Sequence, residues 1–296
     1  MTSLQRKATQ LLDHRLVERL KKIVNSDETK FSITKSLEEF CQDFNLGGIK
    51  GRTLIFSETH KQEIRKLLET KGYNLDRSIN SKMSRTEKLE YGPNEKAGGG
   101  GLKANRVSIK AYGDLPLMIN RNLVKMPPKS HLNIDASELT SCQHDCIILV
   151  ENFENFNRFD ETKIYLPAQF CNPLVIYRGD KAESRLDAVL AYIELVNLPV
   201  LAAVDIDPYG LTNVAMIKNL VAILCPDNDA LSELFSSSKT RRADLYEKHF
   251  LGCHNFLEAL PYSHPCRKLW ELIKEYKAGI VQEQFLRIGL PLQLWQ

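Results

Sequence analysis

The sequence predicts an α/β protein, helix-rich in its first half and built on a parallel, Rossmann-like sheet in its second. Three observations predict it. Past residue 140, short β-rich runs alternate with helical stretches, the pattern of strands joined by right-handed crossovers. The run Val200-Leu201-Ala202-Ala203-Val204 is apolar throughout, as a central strand covered on both faces must be. Before residue 80, apolar residues recur at helical spacing and the runs stop at glycines.

The chain of 296 residues is long enough for two domains. No apolar run approaches the roughly 18 residues that span a bilayer. The opening MTSLQRKATQLLDHRL carries charges where a secretory signal needs its apolar stretch. A soluble, cytoplasmic protein that engages no membrane is the expectation. The 7 cysteines are odd in number and scattered, which argues for reduced thiols rather than a disulfide framework. Cys142, His144 and Cys146, like the pairs Cys253–His254 and His264–Cys266, lack the paired spacing of a structural zinc site. Charge is unevenly spread. Lys and Arg outnumber Asp and Glu by 25 to 15 over residues 1–130, and are outnumbered by 22 to 15 over residues 131–296. Such a split suits a basic half facing a polyanion and an acidic half holding metal, although a solvated basic helix surface looks the same.

Residues 3–24 place Leu4, Leu11, Leu12, Leu16, Leu20, Ile23 and Val24 at helical spacing, predicting a basic amphipathic helix that makes residues 1–30 the first segment. Ser36-Leu37-Glu38-Glu39 reads as a capping box opening a helix that Leu46-Gly47-Gly48 stops. Thr59-His60-Lys61-Gln62 reads as another, opening a helix that ends at Gly72. Short helices with a Gly-containing turn are compatible with a winged-helix or helix-turn-helix module over residues 31–130. Gly98–Gly101 reads as a loop lacking the Lys-Ser/Thr ending of a phosphate-binding P-loop. Arg106–Ala111 alternates like a strand, and Met126-Pro127-Pro128 reads as a turn or linker. The boundary is therefore placed between about 115 and 140, with residues 131–296 forming the second domain.

In that domain the predicted order is strand Cys146–Val150, helix Asn152–Phe159, strands Lys163–Leu166 and Leu174–Tyr177, helix Leu186–Val196, strand Val200–Val204 and helix Leu211–Leu224. Residues 225–242 read as a loop-rich insertion. Ligands of such sheets bind beyond the carboxyl ends of the strands, and two strands run into acids there. One meets Glu151; the other meets Asp205-Ile206-Asp207-Pro208-Tyr209-Gly210. Asp205 and Asp207, two apart, point to one side if extended, and charges so close call for a cation. Carboxylate oxygens suit Mg²⁺, with Mn²⁺ as a substitute. Each acid taken singly could instead cap a helix, Asp207 above all.

The strings VEN at 150–152 and VDIDPYGL at 204–211 resemble the Toprim domain of topoisomerases, bacterial primases and several nucleases, over roughly residues 144–225. DIDPYG resembles the version in the topoisomerase VI A subunit, where a winged-helix domain precedes the Toprim domain. Glu151-Asn152, Tyr177-Arg178-Gly179 and Gln282-Glu283 are similar to features of the JetD/MksG nuclease subunit of Wadjet plasmid-defence systems. The resemblance implies a metal-dependent endonuclease acting on double-stranded DNA, dimeric, and working with an SMC-like ATPase, a kleisin and accessory subunits. Topoisomerase VI-like enzymes cut with a tyrosine in an RExYY-like setting, which this chain lacks; Tyr91 and Tyr73 are the nearest candidates. Water is then the natural nucleophile. A non-cutting structural subunit and an RNA-directed nuclease are the alternatives. In the hydrolytic reading Asp205 and Asp207 hold the metal and Glu151 shares it or moves a proton. Glu154 is either an outer ligand or a surface acid. Arg178 clamps phosphate, and Lys96, Lys103 and Arg106 contact the DNA backbone.

Overall fold

The computed structural model describes residues 11–80, 83–94, 97, 105–180 and 184–296. The chain divides into two compact units, Met1–Leu102 and Lys103–Gln296.

In the first unit, α1 (His14–Asn25) begins at Asp13, whose carboxylate accepts from the Arg15 and Leu16 amides. It is followed by β1 (Lys30–Ser32), α2 (Lys35–Phe44), β2 (Gly48–Lys50), β3 (Thr53–Ile55), α3 (Glu58–Thr70) and α4 (Arg85–Leu89). The strands form an antiparallel sheet in the order β1-β3-β2. Leu20, Ile23, Leu37, Leu54, Phe56, Ile64 and Leu68 are wholly buried in one core. The turn expected between α2 and α3 is thus a β-hairpin. Both helices also start earlier than the sequence suggested, and of the two only α3 carries a capping box. Thr34 precedes α2 without a side-chain cap bond, and α3 is capped by Ser57, with His60 reaching back to the Ser57 amide. A Ser or Thr two residues inside a helix satisfies the same sequence pattern as one at its start, and the backbone chose the earlier residue.

The second unit is a mixed sheet of seven strands. Its strands are β4 (Arg106–Ala111), β7 (Leu132–Asp135), β8 (Cys146–Val150), β9 (Pro173–Tyr177), β10 (Val200–Ala203), β11 (Leu220–Cys225) and β12 (Gln293–Trp295), in the order β12-β11-β10-β8-β9-β4-β7. β5 (Leu117–Ile119) and β6 (Asn122–Val124) form a separate hairpin. The four central strands β11-β10-β8-β9 are parallel, and the flanking ones antiparallel. Every residue of β8, β9 and β10 is buried, each large apolar one contributing roughly 1.5–3 kcal/mol. The helices are α5 (Phe153–Asn157), α6 (Leu186–Val196), α7 (Pro208–Ala215), α8 (Asn228–Ser236), α9 (Ala243–Glu258), α10 (Pro265–Tyr276) and α11 (Glu283–Ile288). No helix among the described residues is long and apolar enough to cross a membrane.

Several expectations are corrected here. β4 pairs with β9, so the sheet unit begins well before residue 131, and Met126-Pro127-Pro128 is a loop within it rather than an interdomain linker. An alternating strand does not announce which sheet it will join. The helix expected over 211–224 is instead α7 followed by β11, because a six-residue apolar run buried on both faces has no periodicity to distinguish the two. Residues 163–166 contribute only an isolated bridge, Ile164 to Leu292. The stretch 225–242 contains α8, capped by Asp227. Lys110, buried in β4, is held at 2.7 Å from Asp160.

Candidate active site

β8 connects to β9 on one side, while β10 and β11 lie on the other, so the β8–β10 junction is the topological switch point. Glu151 and Asp205 both emerge there. The Glu151 amide donates to the Ala203 carbonyl (3.0 Å), fixing it beside β10. Three residues beyond β10, Ile206 exchanges backbone bonds with Ile280, at 2.9 and 3.0 Å, which ties the acidic turn to the segment before α11. Asp205 Oδ1 accepts from the Gln282 amide at 2.8 Å. Asp207 Oδ1 accepts from the Gly210 amide at 2.6 Å, so Asp207 does cap α7. Pro208, at the first helical position, needs no partner for a nitrogen without hydrogen. Two glycines permit this closeness. A Cβ on Gly210 would stand 2.2 Å from the Asp205 carbonyl oxygen, and one on Gly279 would stand 2.6 Å from Asp207 Cβ.

The Glu151 carboxylate receives Asn213 Nδ2 at 2.9 Å and Arg178 Nη1 at 3.4 Å, both on Oε1. Its Oε2 is buried without a hydrogen-bond partner, as are Gln282 Oε1 and Arg178 Nε. Buried polar atoms ordinarily find a partner, in protein, water or a bound ion, so these three have hydrogen-bonding capacity left over. Asn152 Nδ2 donates to Glu283 Oε1 at 2.7 Å, joining the end of β8 to α11.

Burial pushes the Asp205 carboxyl up to about 7; the Gln282 amide opposes this, while the charges of Glu151, Asp207 and Glu283 add to it. Burial also raises Glu151, against the pull of Arg178 and Asn213. Asp207 is raised by burial too, offset by the Gly210 amide and then by His249. Burial is thus the first cause for all three carboxyls, with mutual repulsion adding to it at Glu151 and Asp205. Among the described residues, no group of three or more His, Cys, Asp and Glu side chains is placed to hold a metal ion. The donor chemistry nevertheless fits Mg²⁺, which takes one or two carboxylates and completes its octahedron with water and phosphate oxygens. Glu151 Oε2 and the outer oxygens of Asp205 and Asp207 are the atoms that could hold it.

The structure therefore gathers Glu151, Asp205, Asp207, Arg178, Gln282 and Glu283. It does not gather the other candidates. Glu154 is exposed and pairs with Arg158 at 3.4 Å, a surface acid. The Arg106 guanidinium bonds the Asn133 side chain at 2.7 Å and the Asn133 carbonyl, bracing β4 against β7 rather than facing solvent. Lys96 and Lys103 lie outside the described residues. Tyr73 and Tyr91 belong to the first unit. The Tyr73 hydroxyl accepts from the Leu12 amide, and the Arg77 guanidinium lies 6.0 Å from the centre of the Tyr91 ring. Sequence reasoning missed Asn213, Lys248 and His249. Asn213 is the lone amide in the apolar stretch Leu211–Ala215, a signal that could have singled it out. Nothing local marks the other two, which act on Asp207 from α9.

Fold and site define a mixed α/β protein with a buried carboxylate cluster at the switch point of its sheet. Residues 104–294 match the family model described as domain of unknown function DUF7281, and the chain belongs to that family. The match spans nearly the whole sheet unit. No curated protein matches the chain.

Proposed function

We propose that the chain is a Mg²⁺-dependent endonuclease of the Toprim type, hydrolysing DNA phosphodiesters. The observation that carries this reading is the convergence of Glu151, Asp205 and Asp207 at the switch point, with Asp205 raised to about 7 and Glu151 Oε2 left unpartnered. Buried like charges beside an orphaned oxygen form an arrangement that a divalent cation would relieve.

When bound, Mg²⁺ would offset the charge that builds on the phosphorane oxygens. The chain's own groups have separable tasks. Arg178, beside Glu151, orients a non-bridging phosphate oxygen through its guanidinium. Glu151 either shares the cation or accepts a proton from the attacking water, burial having raised its carboxyl above the usual range. Asn213 holds Oε1, and Oε2 is left without a hydrogen-bond partner. Asp205, fixed through one oxygen by the Gln282 amide, would hold the cation with its other oxygen.

Within this reading the protein is a JetD/MksG-like nuclease subunit, working as a dimer with an SMC-like ATPase, a kleisin and accessory subunits. The first unit, with its β2–β3 hairpin and basic composition, serves as the winged-helix-like DNA-binding region. A plasmid-nicking assay in Mg²⁺ or Mn²⁺ tests the chemistry. Wild type nicks, while Asp205→Ala and Glu151→Gln bind plasmid but leave it intact. Wild type that binds DNA and never cuts it, alone or with its partners, refutes the proposal.

A further inference from the structure

Tyr209 is the second residue of α7, two positions past Asp207. Its flanking residues Pro208 and Gly210 are buried and Asp207 is only 4 % exposed, yet the Tyr209 side chain stands 51 % exposed. One face of its ring is covered by His249 from α9, with centroids 5.1 Å apart and planes 27° from parallel. His249 and its neighbour Lys248 are also near enough to act on the Asp207 carboxyl. A stacked aromatic pair with one ring half open to solvent thus sits at the rim of the carboxylate cluster, beside a lysine.

Packing alone does not account for the exposed half of that ring. A flat, solvent-facing aromatic surface next to a phosphate-directed site matches the platforms on which single-stranded nucleic-acid binders stack bases. A base inside an intact duplex has both faces occupied by its neighbours and offers none to Tyr209. Asp207 is buried and Glu151 and Asp205 are only part-exposed, so a strand freed from its duplex partner approaches them more readily.

We infer that Tyr209, backed by His249, stacks an unpaired base of the strand being cut, so that the substrate is DNA with a locally unpaired strand. This inference rests on the nuclease reading above. Lys248 is then placed to contact an adjoining phosphate.

The test uses the full chain, in Ca²⁺ to avoid cutting, with forked DNA oligonucleotides carrying 2-aminopurine at each unpaired position in turn. Wild type quenches the probe at one position. Tyr209→Trp keeps the quench; Tyr209→Ala and Tyr209→Leu lose it, and their affinity for the fork falls roughly five- to a hundred-fold. Their affinity for a fully paired duplex stays unchanged. Tyr209 is exposed, so unaltered tryptophan emission verifies that the variants fold. If Tyr209→Ala keeps the quench, or Tyr209→Leu binds the fork as Tyr209→Trp does, the stacking role is overturned while the nuclease reading stands. If wild type binds neither fork nor duplex, both fall together.

Discussion

Replacing Asp205 by Asn removes a charge that burial disfavours, while the amide oxygen still accepts from the Gln282 N–H. Asp205 is pushed from its ordinary 3.8 to about 7, mainly by burial. At about 1.4 kcal/mol per pH unit, that difference is about 4 kcal/mol. Because the folded-state value lies above the unfolded one, the protonated acid favours the fold below about pH 4. That advantage is lost progressively as pH rises to about 7. Asn titrates nowhere in this range. Wild type and Asp205→Asn are therefore expected to have equal stability below about pH 4, with the variant ahead by about 4 kcal/mol at pH 8. Urea unfolding in EDTA, followed by tryptophan emission, measures this in the relevant unit, since both tryptophans, Trp270 and Trp295, lie in the sheet unit. Mg²⁺ then narrows the gap by stabilising wild type only, in proportion to its occupancy. A variant no more stable than wild type at pH 8, or a difference independent of pH, refutes the assignment of a strained buried charge.

Gly210→Ala forces a methyl to 2.2 Å from the Asp205 carbonyl. It is expected to cost about 1–3 kcal/mol by urea unfolding and to abolish nicking by displacing Asp205. Asp160→Ala leaves the buried Lys110 ammonium without its counter-ion. A loss of about 3–5 kcal/mol is expected, partly recovered by the double variant with Lys110→Met. Tyr91→Phe leaves nicking unchanged and no covalent protein–DNA adduct forms in either protein; an adduct seen only in wild type, on a denaturing gel, would establish a tyrosine transesterase instead.

The parts legible in the sequence were those whose physics is local. The strand Cys146–Val150 is legible to its exact ends because five apolar residues between polar ones have few alternatives. α6 was read over Leu186–Val196 because its apolar spacing spans three turns. The acids after β8 and β10 followed from the rule on strand ends, and the structure brings them to one place. What escaped depended on distant partners. β11 looked helical because nothing in Leu220–Cys225 records that β10 and β12 lie on either side of it. β4 was assigned to the wrong half because its neighbours, β9 and β7, come later in the chain. His249 reaches Asp207 from a helix more than thirty residues on, and no spacing rule connects them.

The bond from Gln282 to Asp205 spans 77 residues and that from Asn152 to Glu283 spans 131. A ribosome adding about 5–20 residues per second takes roughly 4 to 15 s to travel the shorter interval. Throughout it, the nascent chain already carries all three carboxylates, but Asp205 has no amide donor and β11 has no antiparallel neighbour. The carboxylates are made early, and the amide that fixes Asp205 arrives late. A chain of this design completes its acidic site with residues drawn from far along the sequence.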